Sequence, residues 1–225
     1  VIGGNTAGGN GGGILTSSKI RITGGTIGEY GVDIPGNSAT NGGGLYVFSD
    51  ENIEVTVDGG TITHNTATQD GGGVYSTSDM TLSSGSISNN NAGRDGGGLY
   101  ANGGDITVDG GTIGSNVAMK DGGGVFAGKA VTLNDGTISN NTAHHDGGGL
   151  YVFGGPVEFV GGTVDGNAAD FNGGGIYIYE YVTLNMKFEA AVTNNHVPAS
   201  GKGGDIYLDG QMNVGENAND PPATH

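Results

Sequence analysis

Three consecutive glycines, followed by an aliphatic residue and usually an aromatic one, recur along the chain, as in Gly42-Gly43-Gly44-Leu45-Tyr46 and Gly71-Gly72-Gly73-Val74-Tyr75. The runs begin at Gly11, Gly42, Gly71, Gly96, Gly122, Gly147 and Gly173, with a degenerate copy in Gly203-Gly204-Asp205-Ile206-Tyr207. Successive starts lie 31, 29, 25, 26, 25, 26 and 30 residues apart. A fixed period of this size describes like units, stacked so that each buries its apolar face on its neighbours. With 51 glycines and only 34% hydrophobic residues, a helical or doubly wound domain is excluded, because glycine weakens regular elements from inside.

A second signal places an aliphatic residue three before an asparagine: Ile62 with Asn65, Ile87 with Asn90, Ile113 with Asn116, Ile138 with Asn141. It continues as Val164 with Asn167 and Val192 with Asn195, and upstream as Ile34 with Asn37 and Ile2 with Asn5. Between the two signals runs a short alternating segment, such as Val55-Thr56-Val57, Ile106-Thr107-Val108 or Val131-Thr132-Leu133. Apolar–polar–apolar at period two is a strand with one buried face. Each unit therefore carries three short strands, separated by turns of Gly, Asn, Asp and Ser.

Short strands without a helix pattern describe a parallel β-helix, with coils stacked ~4.8 Å apart. The preference for right-handed parallel crossovers makes it right-handed. The expectation is about eight coils of 25–31 residues, forming one domain over residues 1–218. Residues 219–225, with Pro221 and Pro222, read as a linker or tail, because proline has no ladder donor. Val1 falls inside a repeat, so the chain reads as a segment of a longer protein that starts mid-coil. Two insertions, Gly28 to Gly36 and Phe188-Glu189-Ala190 with His196 to Ser200, are expected to protrude as loops.

Stacking turns each repeat position into a rank. The asparagine rank is expected to form an amide ladder. A second rank stands just before the glycine runs: Asn10, Asn41, Asp70, Asp95, Asp121, Asp146 and Asn172. Its four successive carboxylates are either splayed into solvent as turn caps or bridged by a hard cation such as Ca²⁺. One residue earlier stand Arg94, Lys120 and His145. They are either charge compensation along the edge or the basic groups of a polysaccharide lyase or hydrolase cleft.

The aromatic rank comprises Tyr46, Tyr75, Tyr100, Phe126, Tyr151, Tyr177 and Tyr207. The aliphatic residue before each takes the inward face, so alternation turns the aromatic outward. Such a column supports its neighbours by cross-strand contact and offers a stripe to sugar rings or a peptide. Two threonine ranks, one with Thr81, Thr107 and Thr132 and the other with Thr61, Thr112 and Thr137, lie on different strands, which argues against a single ice-binding face.

The net charge of −16 argues against nucleic acid and anionic membranes as partners and favours cations. No cysteine is present, so disulfide and thiol chemistry are excluded, and no apolar run is long enough to span a bilayer.

The pairing of Gly71-Gly72-Gly73-Val74 with Ile62-x-x-Asn65 resembles the Gly-Gly-Ala-Ile and Phe-x-x-Asn repeats of chlamydial polymorphic outer membrane proteins. It is also similar to adhesin-like repeat proteins of bacteria and methanogenic archaea. The resemblance implies a β-helix on an extracellular, cell-surface protein and brings no catalytic residues with it. The expected function is a non-enzymatic adhesin or stalk segment, without cofactor, meeting a glycan or a partner protein through the aromatic rank and the two loops. The alternatives are a carbohydrate-active enzyme built on Arg94, Lys120 and His145, and a filament subunit associating head to tail through open ladder edges.

Overall fold

A computed structural model describes residues 1–49, 53–187 and 189–214. Phe188 and the 219–225 tail lie outside the described residues. Among the described residues all regular structure is strand, and every ladder between named strands is parallel. The chain winds as a right-handed parallel β-helix of about 7 turns, close to the expected eight coils. The sheet that runs from Ile14–Thr16 to Ile206–Leu208 counts eight strands.

One central coil shows the plan: Leu99–Ala101, Ile106–Val108, Thr112–Gly114 and Val117–Ala118. The three expected strands are joined by a fourth, of two residues, just past the asparagine. Its second residue is a buried alanine in coil after coil (Ala39, Ala67, Ala92, Ala118, Ala143, Ala169). In two earlier coils the second and third strands run together, as Val55–Thr63 and Met80–Ser88.

Registers are strict. Leu99 pairs with Val125, Tyr100 with Phe126 and Ala101 with Ala127, so like residues meet like residues in space. The inward files, including Leu45, Val74, Leu99, Val125, Leu150 and Ile176, form one continuous apolar core. Each such side chain contributes about 1.5–3 kcal/mol by leaving water.

The glycine triplet has a different cause at each position. Gly71 sits at φ +66°, where a side chain is strained. A Cβ on Gly72 would lie 2.4 Å from the carbonyl oxygen of Gly97 in the next coil. One on Gly73 would lie 2.9 Å from the Asn90 amide nitrogen. The run thus sets backbone close to backbone and makes room for the asparagine ladder.

Of the two expected insertions, the first forms a small excursion closed by an antiparallel bridge between Tyr30 and Ile34, with Val32 at its exposed tip. In the second, His196 itself rejoins the stack by bridging Ala168, and the turn lies beyond it.

Candidate functional site

The rank asparagines Asn37, Asn65, Asn90, Asn116, Asn141 and Asn167 are buried and bonded one to the next. The Asn65 backbone N–H and side-chain amide both donate to Asn90 Oδ1 at 3.0 Å, while Nδ2 also donates to the Ile27 carbonyl at 2.9 Å. The same set repeats from Asn90 to Asn116 and from Asn116 to Asn141. Asp205 closes the ladder, accepting from Asn195 at 3.0 and 3.1 Å. The residue before each asparagine often turns through positive φ, as at His64 and Asn89 (+55° and +56°).

The acidic rank is not splayed into solvent. Asp70, Asp95, Asp121 and Asp146 are only 3–7% exposed. Each carboxylate accepts the backbone N–H of its counterpart in the following coil. The distances are 3.3 Å from Asp95 to Asp70, 3.1 Å from Asp121 to Asp95, 3.1 Å from Asp146 to Asp121 and 2.8 Å from Asn172 to Asp146. The positive-φ glycine that follows folds the turn back, which lays the carboxylate against the next coil rather than outward.

The three basic side chains lie against these carboxylates. Arg94 grips Asp70 with Nε at 2.7 Å and with Nη2, and its Nε lies 3.4 Å from Asp95. Lys120 Nζ lies 2.8 Å from Asp121 Oδ2. His145 Nδ1 lies 2.8 Å from Asp121 Oδ1 and 3.0 Å from Asp146 Oδ2. The Asp70 bond holds Arg94 above its ordinary pKa, and the Asp121 bond does the same for Lys120. Burial pushes the carboxyls of Asp95 and Asp146 above the usual carboxylate range, against the pull of their hydrogen bonds and nearby cations.

The aromatic rank is one stacked column. Ring centroids from Tyr46 to Tyr207 are 4.7–5.1 Å apart and successive planes lie within 20°. Each inner ring covers the faces of its neighbours, and Tyr100, Tyr151 and Tyr177 are buried. Burial first, then the charge of Asp70 or Asp146, lifts the phenols of Tyr100 and Tyr177 to about 12. Tyr151 is raised as well, by burial and by Asp121.

Open aromatic faces occur beside this column. Phe153 packs on Tyr179 with centroids 4.9 Å apart, and Tyr181 is 94% exposed. An open cleft of about 580 Å³ lies there, lined by Glu180, Tyr181, Thr183, Asp209, Gly210 and Gln211. Tyr181 holds φ +64°, where Gly155, 26 residues earlier, holds +75°. A tyrosine in the left-handed region costs roughly 1–2 kcal/mol. Sequence reasoning passed over this cleft. Its one visible signal is Glu180-Tyr181 standing where the previous coil has Gly154-Gly155.

Residues 20–197 match the model of a family described as right handed beta helix region. No curated protein and no solved structure matches the chain.

Proposed function

Because the chain belongs to the right-handed β-helix family, we propose that it is a non-enzymatic binding segment of an extracellular surface protein, holding a glycan on its rigid stack. That family includes both adhesins and carbohydrate-active enzymes. The observation favouring binding is the state of the basic groups. A general base must be neutral near its working pH, whereas the carboxylates beside Arg94 and Lys120 stabilise both as cations. His145 is engaged with two carboxylates. All three are held against carboxylates of the acid rank.

The glycan reading rests on the cleft at Tyr181. An exposed ring offers a face to the C–H side of a sugar, and Glu180, Asp209 and Gln211 supply acceptors and a donor for its hydroxyls. Two carboxylates in a chain of net charge −16 repel uronates, so the ligand is a neutral or amino sugar. The resemblance to surface-protein repeats agrees with an extracellular location.

A glycan array tests the reading. Neutral or amino-sugar glycans are expected to bind wild type and Lys120→Ala alike, and to be lost in Tyr181→Gly. That substitution removes the ring while matching the backbone, and relief of strain raises stability by about 1 kcal/mol. Incubation with acidic polysaccharides should release no unsaturated or reducing ends. Turnover that Lys120→Ala abolishes would overturn the proposal in favour of a lyase or hydrolase.

A further inference from the structure

The acidic file offers the same junction three times, and the chain fills it three ways. Between Asp70 and Asp95 lies the Arg94 guanidinium, touching both. At the next junction the Lys120 ammonium binds Asp121. At the third, between Asp121 and Asp146, stands the His145 imidazole. The first two side chains are a guanidinium and an ammonium, and the third is an imidazole. Asp121 meets Lys120 at Oδ2 and the imidazole at Oδ1, while Asp146 Oδ2 lies 3.0 Å from the imidazole.

Imidazole also brings what guanidinium and ammonium lack, a nitrogen lone pair that binds metal ions. The Asp121, His145 and Asp146 ligand atoms lie within 4.8 Å of one another. Their carboxylates are fixed from behind. Asp121 Oδ1 accepts the Asp146 N–H at 3.1 Å, and Asp146 Oδ1 accepts the backbone and side-chain N–H groups of Asn172 at 2.8 and 3.0 Å. Such outer bonds orient metal ligands and keep them in place. The Phe171 ring covers one flank of the imidazole, with centroids 4.9 Å apart. The His145 side chain is still 45% exposed, which leaves water a route to the remaining coordination positions.

We propose that Asp121, His145 and Asp146 bind one first-row divalent transition ion of the Zn²⁺ type through Asp121 Oδ1, the imidazole and Asp146 Oδ2, while Lys120 keeps the other oxygen of Asp121. One imidazole and two carboxylates, completed by water, suit a tetrahedral ion of that class. Ca²⁺ takes six to eight oxygen ligands, more than this junction offers. The inference stands apart from the glycan reading, since the cleft at Tyr181 shares no residue with this site.

Calorimetric titration of untagged, chelator-stripped protein with Zn²⁺, alongside a melting curve, tests it. The expected result is one Zn²⁺ per chain and a raised melting temperature. His145→Lys writes the second junction's side chain into the third, and should keep the metal-free melting temperature while weakening Zn²⁺ binding at least about tenfold. His145→Gln, which keeps a hydrogen-bond donor without the imidazole nitrogen, should weaken it likewise and serves if the lysine variant does not fold. His144→Ala, removing the neighbour paired with Asp170, should leave binding unchanged. No Zn²⁺ binding by wild type, equal binding by wild type and both His145 variants, or Ca²⁺ binding as tight as Zn²⁺ would each overturn the proposal.

Discussion

Two ranks run the length of this stack, one of amides and one of acids, and both are buried with a side-chain oxygen accepting a backbone N–H from an adjoining coil. They point in opposite directions along the chain. Asn90 Oδ1 accepts from the preceding coil, whereas Asp95 Oδ1 accepts from the following one. The deeper difference is chemical. An amide has donors as well as acceptors, so an asparagine satisfies its twin and the same residue can repeat without limit. A carboxylate has acceptors only and repels its twin, so the acid rank needs cations from outside itself. That need accounts for Arg94, Lys120 and His145 standing before Asp95, Asp121 and Asp146, while the asparagines stay constant. A self-complementary rank permits repetition, and a charged one imposes variation beside it.

Exchanging the two chemistries tests this contrast most severely. Asn116→Asp removes the donors to Ile87 and Asn141 and places an uncompensated charge in the core. The expected loss is about 3–5 kcal/mol, read from denaturant unfolding. The reverse exchange, Asp95→Asn, should stay within about 1 kcal/mol at neutral pH, since Asn41 and Asn172 already occupy that rank. Equal losses from both would erase the distinction.

Acid titration sharpens it. Burial lifts the folded Asp95 carboxyl above its unfolded value of 3.8. Over the interval between the two values the native chain binds the proton more tightly than the unfolded chain. Asp95 therefore adds stability below that interval and loses the contribution as pH rises through it. The stability of Asp95→Asn relative to wild type should accordingly be greater at neutral pH than in acid below the unfolded value of 3.8. A difference that does not change between acid and neutral pH would mean that the carboxyl is solvated like an ordinary surface acid.

The smallest effect concerns the aromatic column, which feels the acid rank at its flank. With the phenols of Tyr100 and Tyr177 at about 12 against an ordinary 10.0, the folded state disfavours phenolate. Stability from these groups is intact below the unfolded value and is lost as pH rises from there toward the folded one. Tyrosinate absorbance should thus lag behind that of free tyrosine until unfolding begins, and Asp70→Asn should shorten the lag slightly. Phenols that ionise at the ordinary value in the folded chain would mean that the column is open to water.

The period, the coil and the amide ladder were legible in the sequence, because each rests on one residue type recurring where only that type fits. Gly72 and Asn90 are such positions. The burial of Asp95 and Asp121 was not legible. An aspartate in a Gly-rich turn reads as a solvated cap, and only the fold-back at the positive-φ glycine brings its carboxylate against the next coil. The direction of the aromatics could be read from alternation, but the coverage of their faces could not, since ring-on-ring stacking depends on rotamers. The cleft at Tyr181 stayed hidden because it arises where the repeat is broken, and periodic reasoning is blind to exceptions.

A double-mutant cycle on Arg94→Ala and Asp70→Asn tests most directly whether the basic residues serve the acid rank. If Arg94 compensates the buried Asp70 carboxylate, the arginine loss should be costly in wild type and largely harmless in the Asp70→Asn background, giving a coupling of about 1 kcal/mol or more. Losses that simply add, within about 0.5 kcal/mol, would contradict the account and return Arg94 to the groups available for chemistry.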